Sequence, residues 1–292
     1  VSTSSFNADW NIVFADVVSN VNATLNALET SGTGGIAKGI AQTLNAMALG
    51  TAASLWGDIP FDDAGNPEVI NPVFENQDAV YEKVQNLLDE ALSNLSAGVG
   101  RPSAGSDIYF DGDPSSWTQA AWTLKARFYM HIKDYEQAYA AAQKGIQSPQ
   151  YSLLSPHGTA NESANLNYQF FAIAVRQADV IVSDFFTSLL SADPAVNPNI
   201  AAYRGNAKTD ETARFNFLFR LTGLGVQPNI VDGYAAQTAP GAIVTYQENQ
   251  LILAEAGLRS NGFEAGLQHL NNFRSFMASG GYLLNSGNAG LK

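Results

Sequence analysis

"SLWGDIPF" (residues 54–61) reads as the end of a helix. Gly57, just past Trp56, can take the left-handed conformation that closes a helix, and Pro60 forbids its resumption. The proline also pushes Ile59 toward extended backbone. "FDDAGNPEVINP" (61–72) continues as loop, rich in Pro, Asn and Asp. Each residue of the stretch thus has a local structural task, and Trp56 reads as scaffold rather than as a ligand platform.

Outward from that corner the pattern is helical. Trp10, Phe14, Val17, Val21, Leu25 and Leu28 recur at three or four residues, the period of one buried helical face. "TSGTGG" (30–35) interrupts it, and a second helix carries Ile36, Ile40, Leu44, Met47 and Leu55 among alanines that let a neighbour approach closely. Val80, Val84, Leu87, Leu88, Leu92 and Leu95 make a third stripe, followed by the connector "SAGVGRPSAGSD" (96–107). In "DGDPSSW" (111–117), Asp113 is an N-cap with Pro114 at the first helical position. The helix pair beyond it, 115–132 and 134–147, places Trp122, Ala126, Tyr129, Ala138 and Ala142 on tetratricopeptide spacing. A looser echo, centred on Ala254 and Ala265, occupies 250–273. Between these regions, 150–240 shows little periodicity beyond one helix expected near 180–191; so long an irregular stretch usually carries function.

Composition narrows the function. The 292 residues, 46% hydrophobic, are enough for one large core or two smaller ones. Fifteen Lys and Arg against 27 Asp and Glu leave a net charge of −12, which argues against nucleic acid or an anionic membrane as partner. Charged residues make up 14%, against a norm of about 25%, so the polar surface is largely uncharged and suits a neutral polar ligand. The absence of cysteine removes disulfides, thiolate metal sites and cysteine nucleophiles. No apolar run approaches the roughly 20 residues needed to span a bilayer.

"GTGGIA" (32–37) formally satisfies G-x-G-x-x-A, but a helical pattern precedes it where dinucleotide binding needs a strand, and Ile40 stands where a P-loop lysine belongs. His131, His157 and His269 form no metal-ligand pair. No G-x-S-x-G elbow marks a serine nucleophile. Asp62/Asp63 and Asp111/Asp113 have the composition of a glycosidase pair, but in Gly- and Pro-rich loops they read as turn formers and caps. "YFDGDP" (109–114) lacks the closing glutamate of a calcium loop. No catalytic residue, metal ligand or cofactor is therefore expected. Aromatic side chains remain, because Tyr and Trp offer a flat apolar face with a polar edge, which suits sugar rings. Those on helical stripes read as core. Those in the irregular segment, with nearby arginines, are the expected ligand contacts: Tyr168, Phe170, Arg176, Tyr203, Arg204 and Tyr234.

Five stretches, in order, resemble the RagB/SusD family of nutrient-binding lipoproteins. "SLWGDIPF" is similar to that family's YGDxP signature, and "NLLDEALSNL" (86–95) to its DLxxAxxxL helix. "DIYFDGDPSSWTQAAWTLKARFYMHI" (107–132) matches a family segment at Asp107, Tyr109, Gly112, Asp113, Trp117, Leu124 and Arg127. "SDFFTSLLSADP" (183–194) resembles the segment before its DPR, with Ala195 in place of the arginine, and "VTYQENQLILAEAGLR" (244–259) resembles its T-Y-x-E…AEA. The resemblance implies a mainly all-α, SusD-like fold of tetratricopeptide-like helix pairs with long loop insertions. It is expected as a single domain over 1–292, with a helical scaffold at 1–149 and 242–280 and an irregular ligand-facing region at 150–241. The missing lipoprotein cysteine and the ending "NSGNAGLK" (285–292) lead us to expect a chain cut at both ends. The implied role is capture of a glycan at the outer-membrane surface and its delivery to a SusC-like TonB-dependent transporter, through a lipid anchor outside this chain. Members of the family bind rather than cleave. A protein-interaction scaffold without a small-molecule ligand is the alternative.

Overall fold

The computed structural model of the chain describes residues 6–179, 182–203 and 211–280, and these are mostly helical. The chain divides into two compact units, one of Val1–Leu153 with Val244–Phe273, the other of Leu154–Ile243 with Arg274–Lys292.

The first unit begins with α1 (Asn7–Asn11), a π-helical turn (Ile12–Val18) and α2 (Ser19–Ser31). The π turn is the reason the sequence stripe drifts: its wider winding delays the helix by part of a turn, so Val18 rather than Val17 reaches the core with Val21. Trp10 and Phe14 are only half-buried. α3 (Gly35–Trp56) packs tightly on α4 (Gln77–Leu95); a Cβ on Gly39 would lie 2.7 Å from the Ala91 carbonyl. The first amides of α3 are already satisfied, Ile36 N–H donating to the Val99 carbonyl at 2.8 Å and Ala37 N–H to Gly100 at 2.9 Å. The glycine loop is therefore a helix hairpin in which the Ile36 and Ala37 amides already hold the 99–100 backbone rather than a phosphate.

At the Gly57 corner the backbone does turn to positive φ, 79°, but ψ is −114°, outside the left-handed helical well. That ψ sends the chain straight into an antiparallel bridge between Ile59 and Glu75, so Ile59 is extended and fully buried. Lys83 on α4 then clamps the loop through Asp62 at 2.6 Å and Glu75 at 2.5 Å.

α5 (Pro114–His131) starts as its sequence dictates, with Asp113 accepting the Ser116 N–H at 2.8 Å and Pro114 in the first turn. Upstream, the Asp107 carboxylate gathers the N–H groups of Tyr109 and Gly112 and the indole N–H of Trp117, the last at 2.7 Å. Burial pushes this carboxyl's pKa up, but those hydrogen bonds outweigh it and hold the group below the ordinary aspartate value. α6 (Tyr135–Ala142) and α10 (Tyr246–Asn261) complete a cluster in which Ala126, Ala138, Ala142 and Ala256 are fully buried. Arg127 on α5 holds Glu248 on α10 through two hydrogen bonds, 2.5 and 2.7 Å. In the second pairing, α10 with α11 (Phe263–Ala278), the close approach falls at Gly266, where a Cβ would lie 2.7 Å from the Ala254 carbonyl; Ala254 and Ala265 themselves are half-buried.

The second unit contains two short sheets. β1 (Leu153–Ser155) pairs with β4 (Gly241–Val244), and β2 (Phe219–Thr222) pairs antiparallel with β3 (Gly225–Pro228). Between them come α7 (Leu166–Tyr168) with a π turn (Gln169–Ile173), α8 (Asp184–Leu190) and α9 (Thr212–Leu218). α8 falls within the helix expected at 180–191, whose first two residues lie outside the described ones.

Candidate functional site

The second unit holds an open cleft of about 690 Å³ between α8, α9 and the β2–β3 hairpin. Its floor is apolar. Phe215 and Phe219 pack at 5.8 Å in a small core with Leu190 and Val196, and Phe186 meets Phe219 edge-on at 5.6 Å. Its rim is polar and mixed in sign, with Asp193, Asn216, Arg220 and Asp232 among the lining residues.

Local chemistry fixes that rim. Asp193 forms a tight turn after α8, its carboxylate accepting the Ala195 N–H at 2.9 Å and its carbonyl those of Val196 and Asn197. Asn197 is buried and donates back to the Ser188 carbonyl at 3.2 Å and the Ser191 carbonyl at 2.5 Å. On the other wall, buried Asn229 donates to the Asn216 carbonyl at 2.6 Å and to Asp232 at 2.7 Å, which ties the strand exit to α9. Thr222 closes the hairpin by donating to the Gly225 carbonyl at 3.0 Å. Arg220 stands opposite Gln227 in the hairpin register, and side chains so paired share a face. Gln227 is 4% exposed, and both ends of its amide lack a hydrogen-bond partner. An apolar floor under a rim of hydroxyl-matching donors and acceptors can take a neutral, polyhydroxylated ligand. Among the described residues, no group of three or more His, Asp or Glu is placed to hold a metal ion.

Of the residues singled out from sequence, the described ones sit elsewhere in the same unit, and none of them lines this cleft. Tyr168 and Phe170 lie half-buried on α7 and its π turn. Arg176 stacks over the Phe170 ring at 5.8 Å and is paired with Asp179, so these two are brought together. Tyr203 ends a short 3-10 turn, Ile200–Ala202, and Arg204 lies outside the described residues. Tyr234 packs 6.5 Å from Phe217, and burial raises its hydroxyl's pKa above the usual tyrosine value. The acid pairs are occupied structurally. Asp62 binds Lys83, Asp63 accepts the Val73 N–H at 3.2 Å, Asp111 accepts that of Gly105 at 2.7 Å, and Asp113 caps α5. Among the cleft residues, Asp193 belonged to a motif noted in the sequence; Phe215, Asn216, Phe219, Arg220 and Asp232 did not. Their signal is faint: the aromatic alternation of "FNFLF" (215–219) ahead of a Gly-Leu-Gly turn.

A family model described as starch-binding, associating with the outer membrane, matches residues 1–272. The chain belongs to the SusD-like family. Solved SusD-like structures share its fold. A SusD/RagB family protein from Bacteroides thetaiotaomicron superposes with a TM-score of 0.69 at 22% identity, covering 95% of this chain and 63% of its own. A chitin-binding SusD homologue from Flavobacterium johnsoniae gives 0.69 at 16% identity, covering 93% and 58%. A further chitin-binding protein gives 0.66 at 22%, covering 91% and 64%. This chain therefore spans less than two thirds of the length of these relatives. No curated protein matches it. Among the described residues, no helix of this SusD-like protein is long and apolar enough to cross a membrane. The segment that resembled the family's DPR motif forms α8 and the Asp193 lip, where Ala195 supplies a backbone N–H to the turn.

Proposed function

We propose that this SusD-like protein captures an oligo- or polysaccharide at the cell surface, in the cleft between Asp193 and Asp232, without cleaving it. It then passes the glycan to a SusC-like TonB-dependent transporter while held to the outer membrane by a lipid anchor. The observation that carries the reading is the cleft itself: an aromatic floor under a rim of Arg220, Asn216 and two aspartates. Sugars offer C–H faces to such a floor and hydroxyls to such a rim. The family's description and the chitin-binding names of two structural relatives support a glycan as the ligand class.

Affinity electrophoresis and calorimetry against soluble chitin and starch oligosaccharides test this. We expect binding without release of shorter products. Arg220→Ala and Asn216→Ala should each weaken it by about tenfold, the size of one or two lost hydrogen bonds to a charged or amide donor. The loop aromatics form the competing site within the same reading. If Tyr168→Ala, Phe170→Ala, Arg176→Ala, Tyr203→Ala, Arg204→Ala or Tyr234→Ala abolishes binding while the cleft variants do not, the contacts move there. No binding to any glycan of a broad array overturns the proposal.

A further inference from the structure

The first unit carries an exposed aromatic face, none of whose residues lines the cleft proposed for the glycan. Trp10 stacks with Phe74 at 6.0 Å and 12°, meets Trp56 edge-on at 5.1 Å and packs on Phe14 at 4.3 Å. Phe6 sits one turn before Trp10, its carbonyl accepting the Trp10 N–H. Phe6 and Phe74 are 58% and 57% exposed. The π-helical turn at 12–18 lies along the same stripe, and such turns recur at functional sites. A connected apolar patch of this kind marks an interaction surface rather than ordinary surface scatter.

Its surroundings select the occupant. Residues 6–78 contain nine Asp and Glu and a single basic residue, Lys38. Asp9 precedes Trp10 and is exposed, Asp58 follows the Trp56–Gly57 corner and is exposed, and Asp63 holds the Val73 N–H. Lys83 is committed to Asp62 and Glu75. An anionic bilayer or a second, equally acidic copy would be repelled by this rim. We propose that this face docks a protein whose contact surface is apolar at its centre and ringed by lysine or arginine. Electrostatic complementarity would steer the encounter, and the Trp10–Trp56–Phe74 cluster would supply the buried centre.

The proposal stands apart from the glycan site and is tested without a glycan. Tryptophan fluorescence of the full chain is titrated with an amphipathic Leu/Lys peptide of about 18 residues, five helical turns, and with its Leu/Glu counterpart. The cationic peptide should bind at least about tenfold more tightly, and more so at low salt. Phe74→Glu and Phe6→Glu should each weaken it about tenfold, whereas Phe185→Glu, at a still more exposed phenylalanine of the second unit, should leave it unchanged. Equal loss in Phe185→Glu, or none in Phe74→Glu, reduces the effect to net charge and overturns the proposal. So does a dimer in sedimentation that Phe74→Glu disrupts, or a chitin oligosaccharide whose binding Phe74→Glu abolishes; these reassign the face to a second copy or to a sugar.

Discussion

In the helical unit the core is made of side chains that fill space. In the unit of residues 154–243 much of the same duty falls to asparagines that reach backbone. Trp117, Phe128, Leu49, Leu88 and Leu124 are wholly buried in the first, and Gly50 lies so close to the Phe128 ring that a Cβ would sit 2.3 Å from it. In the second, Asn165, Asn197 and Asn229 are all buried, and each donates to backbone carbonyls: Asn165 reaches Ala239 at 2.9 Å, Asn197 the end of α8 at Ser191 and Asn229 Asn216 in α9. The difference follows from helix content. Helices satisfy their own amides and need only an apolar seam, while loops bury carbonyls that must find donors elsewhere. A scaffold built the first way is rigid. A surface built the second way can present polar groups around a cleft without a continuous core beneath it.

The largest effect that would break this comparison is at Trp117. Trp117→Ala removes a wholly buried indole and should cost about 3–5 kcal/mol, with the Asp107 carboxylate losing its shortest donor. Trp117→Phe should recover most of the packing and none of that hydrogen bond. Urea unfolding followed by helical circular dichroism reads both. A smaller loss for Trp117→Ala than for a staple in the second unit would mean that packing does not dominate the helical one.

The staple to compare is Asn229. Asn229→Ala should cost about 1–3 kcal/mol, because the Asn216 carbonyl and the Val231 and Asp232 amides lose a buried partner. The loss should be local. Hydrogen exchange should quicken across 216–234 and stay unchanged in α3 and α4. Asn229→Asp keeps the acceptor, loses both donors and places a charge beside Asp232, so it should be no better than alanine. Faster exchange in α3 and α4 would show that the units share one cooperative transition.

This contrast also explains what could be read from residues alone. Stripes of period 3.6, the Asp113–Pro114 start and the Gly57–Pro60 stop all act within a few residues, so α3, α4 and α5 were visible in sequence. The π turn was not, since it moves Val18 inward by geometry that hydrophobic spacing does not encode. The cleft was illegible for a further reason. Asn229 and Asn197 look like loop residues, and only the folded chain shows which carbonyls they hold and hence where Arg220 and Asp193 stand. Aromatics in the irregular region stand out by residue type, yet the cleft floor uses Phe215 and Phe219, which the sequence places in an ordinary apolar run.

The smallest expected effect concerns acid, and it again separates packing from polar stapling. His131 and His269 both belong to the helical unit, and both have lowered pKa values. For His131 the cause is first burial and then Arg127, partly offset by Glu248; for His269 it is burial. His269 packs edge-on to Tyr139 at 5.8 Å, and its Nδ1 is buried without a partner, so a proton there has nothing to meet it. A histidine whose folded pKa lies below its unfolded value of 6.5 is more easily protonated in the unfolded chain. Stability from these groups is therefore complete above 6.5 and declines as pH falls through 6.5 toward the folded value. We expect chemical unfolding to show a modest loss over that window. His269→Phe, which keeps the ring against Tyr139, should remove its share and flatten the curve. A loss that persists unchanged in the His269→Phe, His131→Asn double variant would move the acid sensitivity to the carboxylates. Asp107 and Asp113 would then be the first to examine, because their lowered pKa values place their own loss of stability below about 3.8.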